Sequence, residues 1–287
     1  MDSNSARTSK VKLNDGRYMP LLGLGTWGAE SSSGSCKPAV EAAIDAGYRH
    51  IDTAFAYRCE TEVGKAINAK IQQGVIRRED IFVVTKLWTT HFAPEDIPKC
   101  FNKSLSDLQL DYIDLYLIHF PVGFQKVGDD LFPMKDGKLL TNEIDYVDVW
   151  KGMEALKASG KVKSIGVSNF SIQQLERLLS VAKVPPAVNQ VELHPYLVQT
   201  DLIEYCKSKN IVLTAYSPFG SPGRPKEFHR GATDPEKLLD EPVVLEIAKK
   251  HGRTPVTGSV EVSCATGHCS DPKECHTQPY RGELKDL

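Results

Sequence analysis

Seven short apolar runs, rich in β-branched and aromatic residues, recur along the chain: PLLGLGTW, YRHIDTA, IFVVTKLW, DYIDLYLIHF, VKSIGVSNF, AVNQVELH and IVLTAYSPF. Between them lie stretches whose apolar residues recur at helical spacing, among them 37–47, 60–72, 147–159, 171–182 and 200–208, several closing on Gly or Asn. Alternation of this kind specifies a parallel sheet with right-handed helical crossovers, because a parallel strand is reached only by a crossover long enough to hold a helix. The helical stretch 241–251, EPVVLEIAKKH, completes a seventh unit. A (β/α)8 TIM-type barrel needs an eighth unit to close its sheet. After Thr254 the sequence offers SVEVS as a short strand and no helical stretch behind it. The expected architecture is an α/β barrel over 1–255, its eighth strand–helix unit missing or replaced, followed by a divergent, irregular tail over 256–287. The opening KVKLNDGRYMP differs from the rest. Its Asn14-Asp15-Gly16 turn between strand-like runs predicts a β-hairpin plugging one end of the barrel.

Composition narrows the partners. With 287 residues, 41% of them hydrophobic, the chain can bury the core of one such domain. A formal net charge of −2 and the lack of a basic stripe argue against nucleic acid. The first residues, MDSNSARTSKVKLNDG, lack the apolar region of a signal peptide, and no run is long enough to span a bilayer. Seven cysteines is an odd number, and Cys36, Cys59, Cys100 and Cys206 are scattered through regular elements. That usage predicts a reduced, cytoplasmic protein.

In a barrel of this class the chemistry gathers where the strands end. Here those ends are polar: Asp52, Lys86, His119, Ser168 with Asn169, Gln190 with Glu192, and Tyr216 with Ser217. A single polar residue at a strand end more often caps a loop than catalyses anything. Six such ends in one chain favour a site. Asp52, Lys86 and His119 suggest a proton-transfer centre, and the phenol nearest in sequence is Tyr57. A free tyrosine is a poor acid at neutral pH. An ammonium held beside it favours its ionised form, so Lys86 is expected to lower the Tyr57 pKa. His119 is expected to orient a carbonyl oxygen.

The ordered motifs GLGTW, YRHIDTAFAY, VVTKLW, YLIHFP, GVSNF, NQVELHP and AYSPFG resemble the aldo-keto reductase superfamily, in its monomeric aldose- and aldehyde-reductase-like branch, from about Lys10 to Arg253. The resemblance implies NADPH-dependent reduction of aldehydes and ketones, with Asp52, Tyr57, Lys86 and His119 as a catalytic tetrad and Tyr57 as the general acid. It implies that Ser168, Asn169 and Gln190 hold the nicotinamide carboxamide, that Tyr216 stacks on the ring, and that Ser217, Phe219 and Ser221 lie along the pyrophosphate. Gly25, Thr26 and Trp27 would line the cofactor and substrate entrance. Trp27 and Trp88, otherwise ordinary core aromatics, would form the substrate pocket with Tyr57 and His119, and Phe120 would extend its wall. The long segment 121–146 would shape substrate choice, and 221–240 would fold over the pyrophosphate. The resemblance implies cofactor binding by a barrel rather than by a Rossmann fold.

The tail departs from this pattern. Cys264, Cys269, Cys275 and His276 follow C-x4-C-x5-C-H, which is not the paired spacing of a zinc ribbon or finger, so no metal is expected. Written in suitable codons and read one base later, residues 267–284 yield a pattern resembling the family's eighth strand and adenosine-phosphate segment. The tail is therefore expected to be a frameshifted or alternatively joined product. It would lack the family's phosphate-binding Lys and Arg, for which Arg253, Lys273 and Arg281 are the available substitutes. The expected function is carbonyl reduction by a cytoplasmic monomer acting on small molecules, impaired by the altered C-terminus. The alternative is a non-catalytic binding or structural protein on the same scaffold, or an inactive truncated product.

Overall fold

The structure is a computed structural model that describes residues 9–28, 34–221, 224, 238–250, 252 and 254–255. The chain divides into two compact units, Met1–Asn189 and Gln190–Leu287.

The first unit opens with the expected hairpin. Strand β1 (Lys10–Lys12) pairs antiparallel with β2 (Tyr18–Pro20), and Val11 faces Met19. Between them Gly16 adopts φ 88°, a conformation that favours glycine. The turn is fastened to the body of the unit. Asn14 Nδ2 donates to Pro186 O at 2.9 Å, Asp15 accepts from Ser164 Oγ at 2.7 Å, and Lys157 pairs with Asp15 at 2.8 Å. Ser164 lies near the start of its strand, so the hairpin sits at the end opposite the strand termini that carry the candidate chemistry.

Five parallel strands follow, adjacent in chain order: β3 (Leu24–Gly25), β4 (His50–Asp52), β5 (Phe82–Leu87), β6 (Ile113–Ile118) and β9 (Val162–Ser168). All six residues of β5 are buried, as expected of a strand covered on both faces. The register sets Asp52 beside Gly25 and Val84, and Lys86 beside Leu117. The run PLLGLGTW makes a far shorter strand than its composition predicts. Pro20 belongs to the hairpin, and Thr26 leaves the ladder with its N–H and its hydroxyl both donating to Asp52 O at 3.0 Å.

Helices α1 (Cys36–Asp45), α2 (Glu60–Gln72), α3 (Ile97–Leu108), α4 (Tyr146–Ala158) and α5 (Ile172–Leu179) connect or follow these strands. Asp145 caps α4 by accepting from the Val147 N–H, and Ser171 with Gln174 forms a capping box on α5. Gly64 lets α2 approach α3 closely, since a Cβ there would lie 2.3 Å from Leu108 O. The segment from 121 to 145 carries its own small hairpin, β7 (Met134–Lys135) with β8 (Lys138–Leu139), and a bridge between Phe124 and Thr141.

Strand β10 (Val188–Glu192) begins in the first unit and ends in the second. The second unit then continues through α6 (Thr200–Ser208), β11 (Val212–Tyr216) and α7 (Pro242–Lys250). Seven strand–helix units are thus accounted for. The expected eighth unit, the irregular tail with its cysteines, and Arg253, Lys273 and Arg281 lie outside the described residues. Among the described residues no helix is long and apolar enough to cross a membrane, and no cluster of metal-ligating side chains occurs.

Candidate active site

Four of the sequence-predicted residues converge at the strand ends of the first unit. Lys86 is fully buried near the end of β5. Its ammonium has three N–H donors, and three acceptors surround it: Asp52 Oδ1 at 2.5 Å, Thr53 O at 3.0 Å and Tyr57 Oη at 3.3 Å. Asp52 ends β4, one strand away. Tyr57 closes the 3-10 turn Phe55–Tyr57 that follows. That turn stops because Arg58 takes a left-handed conformation, φ 58°. His119 follows β6 directly, its N–H donating to Leu87 O at 3.2 Å. Its ring stands edge-on to Tyr57, with centroids 5.6 Å apart, and edge-on to Trp88 at 5.0 Å.

The electrostatics of this centre correct one expectation. The Tyr57 phenol lies well above its ordinary value, not below it. Burial is the largest cause, and the negative neighbours Asp52 and Cys59 add to it. Lys86 donates a hydrogen bond to the phenol without reversing this, because part of its charge is already engaged by Asp52. Tyr57 therefore stays protonated. Since its oxygen accepts from Lys86, its own proton is directed elsewhere. His119 is held neutral, its pKa well below the ordinary value through burial and then through Lys86. Among the described residues its buried Nδ1 finds no hydrogen-bond partner.

The aromatic candidates divide. Trp88 is buried, 2% exposed, and its Nε1 donates to Leu131 O at 2.9 Å. It is also edge-on to Phe120, Phe124 and Phe132. Phe120 stacks on His119 with centroids 5.1 Å apart and is 37% exposed. Trp27 is 44% exposed, downstream of Gly25 and Thr26. Ser168 is buried at the end of β9, where its Oγ accepts from Asn169 Nδ2 at 3.1 Å; Asn169 also donates to His119 O at 2.9 Å and adopts φ 64°.

In the second unit Gln190 is buried in β10, and Tyr216 ends β11. Ser217 and Ser221 have φ of 50° and 56°, on either side of half-buried Phe219. Glu192 accepts a charge-assisted hydrogen bond from Arg224 there.

Sequence reasoning passed over three contributors to the first unit. Thr53 supplies the carbonyl that fixes Lys86. Arg58 donates to Asp129 O at 2.9 Å and lies over the Phe55 ring. Glu60 buries its carboxylate behind β5, accepting from Thr85 Oγ1 at 2.6 Å and Ser104 Oγ at 3.0 Å. Nothing in its local sequence distinguishes Glu60 from a solvated first-turn acid. Burial raises its pKa to about 7 against these two hydrogen bonds. A carboxyl raised in the folded state contributes stability that is complete below its unfolded value near 4.5 and is lost as pH rises through about 7. Glu60→Gln keeps the shape and removes the titration. Urea unfolding at pH 5 and pH 8 is expected to show the wild type losing on the order of 2–3 kcal/mol more than the variant over that interval. Equal losses in the two proteins would mean that Glu60 does not titrate there.

Comparisons with known proteins identify the family and the fold. The model of the Aldo/keto reductase family matches residues 21–260. Aldo-keto reductase family 1 member A1-A of Danio rerio is 49% identical over 250 residues, covering 86% of this chain and 75% of that protein. Aldo-keto reductase family 1 member A1 of Homo sapiens is 47% identical over 251 residues, covering 86% of this chain and 74% of that protein. The solved structure of the aldose reductase from Schistosoma japonicum superposes with a TM-score of 0.78 at 38% identity, covering 88% of this chain and 78% of that one. The strand–helix units described above are therefore those of a (β/α)8 barrel, and the chain belongs to the aldo/keto reductase family of oxidoreductases.

Proposed function

We propose that the protein reduces aldehydes and ketones to alcohols with NADPH, as a cytoplasmic monomer, using Tyr57 as proton donor. The observation that carries this reading is the set of three acceptors around the buried Lys86 ammonium. That arrangement leaves Tyr57 as a hydrogen-bond acceptor toward Lys86 and as a donor toward whatever occupies the strand ends.

When bound, NADPH supplies the hydride. The donor set of this chain suits its carboxamide, which offers one NH2 group with two N–H donors and one carbonyl. Ser168 and Asn169 carry a hydroxyl and an amide with both capacities. Gln190, Tyr216, Ser217, Phe219 and Ser221 keep their roles as cofactor ligands on the strength of the family resemblance, as do Gly25, Thr26 and Trp27 at the entrance. His119 acts as a neutral imidazole. With Nδ1 buried and unpartnered, the proton belongs on Nε2, because an unpaired buried N–H is the costlier choice. An Nε2–H can donate to the substrate carbonyl oxygen and polarise it. As negative charge develops on that oxygen, Tyr57 transfers its proton, and Lys86 stabilises the charge left on the phenol. The raised phenol pKa leaves this transfer favourable, since an alkoxide is a stronger base than a phenolate. Trp88 and Phe120 supply apolar surface beside His119, and Trp27 extends that surface at the entrance.

The test is NADPH oxidation by this chain with a panel of aldehydes, beside calorimetric titration with NADPH and NADH. Turnover with the panel supports the reading; NADPH binding without any turnover rejects it. We also infer that the tail replaces the family's phosphate-binding segment. Its expected sign is weak NADPH affinity and poor discrimination from NADH. Micromolar NADPH binding with strong preference over NADH would reject that second inference alone.

A further inference from the structure

Glu60 stands outside the cluster of Asp52, Tyr57, Lys86 and His119, yet it is buried, with 3% exposure. It is the first residue of α2 and follows Tyr57 after only Arg58 and Cys59. Its Oε1 accepts from Thr85 Oγ1 at 2.6 Å and its Oε2 from Ser104 Oγ at 3.0 Å, both hydroxyl residues being fully buried. Thr85 and Lys86 are consecutive in β5, so their side chains leave opposite faces of the strand. Lys86 reaches Tyr57 on one face while Thr85 grips Glu60 on the other.

The stretch from Thr53 to Glu60 is thereby closed on successive residues of one strand, Val84, Thr85 and Lys86. Upstream, the Thr53 N–H donates to Val84 O at 2.9 Å. Downstream, Thr85 donates to Glu60. Between these ties the Tyr57 oxygen meets the Lys86 ammonium at 3.3 Å, the longest of these contacts. That distance lies just beyond the usual range for a hydrogen bond, so a slight further separation would break it. Arg58, inside the same stretch, holds φ 58°, a conformation that an arginine keeps only where its surroundings impose it. Released at its downstream tie, the turn has an easier backbone conformation to relax into.

We propose that Glu60 is a positioning residue for the proton donor: its bond to Thr85 keeps the Tyr57 oxygen within reach of the Lys86 ammonium. The carboxylate lies behind β5 and acts through the turn that joins it to Tyr57. Ser104 has the lesser part, because it reaches the other carboxylate oxygen from α3, which supplies no residue to the cluster. Glutamine at this position can keep the tie through its carbonyl oxygen, whereas alanine cannot.

The effect on turnover rests on the reading of Tyr57 given above; the effect on the placement of Tyr57 does not. A shift of about 1 Å in a reacting centre costs on the order of 10²-fold in rate. In the full chain, Glu60→Ala and Thr85→Val are therefore expected to lower kcat for an aldehyde by about 10- to 100-fold. The aldehyde KM and the NADPH affinity should stay within about threefold, because the lost interaction serves the proton transfer and not binding. Glu60→Gln and Ser104→Ala should each keep kcat within about threefold of the wild type. Assays at pH 8 lie above the Glu60 pKa of about 7, so the wild-type carboxylate is ionised and accepts at both oxygens.

Tyrosine labelled with carbon-13 at Cζ gives a second readout by NMR that needs no turnover. The Tyr57 signal is assigned by its loss in Tyr57→Phe. It should move in Glu60→Ala and in Thr85→Val and stay in place in Ser104→Ala. A Tyr57 signal unmoved in Glu60→Ala and Thr85→Val overturns the proposal. Equal losses of kcat in Ser104→Ala and Thr85→Val, or a fall in NADPH affinity that matches the fall in kcat, would show that Glu60 only holds the fold, and overturn it as well. If Glu60→Ala does not fold, Thr85→Val, which keeps the branched shape of the side chain, decides in its place. If the wild-type chain has no turnover, the activity reading fails and the tyrosine signal alone decides the positioning role.

Discussion

Tyr57→Phe is expected to lower the turnover of aldehydes by about 10²–10⁴-fold, the usual worth of a positioned general acid. NADPH affinity should stay within a factor of a few. The substitution removes one oxygen and leaves the ring that stands against His119. It also releases one Lys86 donor, but Asp52 and Thr53 O still hold the ammonium. Stability should therefore change little. Steady-state kinetics with an aldehyde and fluorescence titration with NADPH separate the two quantities. Comparable turnover by the variant would remove Tyr57 from its role; lost turnover together with lost cofactor binding would point to a structural role instead.

Lys86→Met is expected to do more damage to the fold. The ammonium is fully buried, and the Asp52 side chain is only 16% exposed. Removing one member of a buried pair leaves the other charge without compensation, at a cost of about 3–5 kcal/mol. Thr53 O loses its donor as well. Urea unfolding should show this loss at neutral pH, and turnover should fall with it because the developing phenolate has no counter-charge. A stability change under about 1 kcal/mol would mean that Asp52 finds water or another donor, and that the pair is weaker than its geometry suggests.

Much of the fold was legible because local signals agreed with one another. The stretches 60–72 and 200–208 form helices with the expected limits, and the Asn14-Asp15-Gly16 turn makes its hairpin. Strand ends were marked by polar residues closing apolar runs, and that placed Asp52, Lys86 and His119 together. Limits drifted where a cap residue decides them: the expected helix from Ser171 starts at Ile172 because Ser171 is the N-cap. The direction of the Tyr57 shift was not legible. Sequence puts a lysine near a phenol, but the balance between that charge and burial exists only once the centre is packed. The small hairpin within 121–145 left no alternating pattern to read, being only two residues on each side.

Among the contacts that fasten the segment from 121 to 145 to the candidate-site end of the first unit are two hooks, Arg58 to Asp129 O and Trp88 Nε1 to Leu131 O. Both hooks grip main-chain carbonyls, which every residue type possesses. The side chains of Asp129 and Leu131 can therefore diverge while these two hooks are kept, whereas Phe124, Phe132 and Lys126 carry side-chain contacts of their own with Trp88 and Asp96. Under the proposed function, exchanging the segment's sequence between relatives is expected to change substrate range, provided that the arginine and the tryptophan stay on the scaffold and the spacing between the two gripped carbonyls is preserved. In this sense the hooks make the segment a replaceable cassette, with the cluster of Asp52, Tyr57, Lys86 and His119 left as it is.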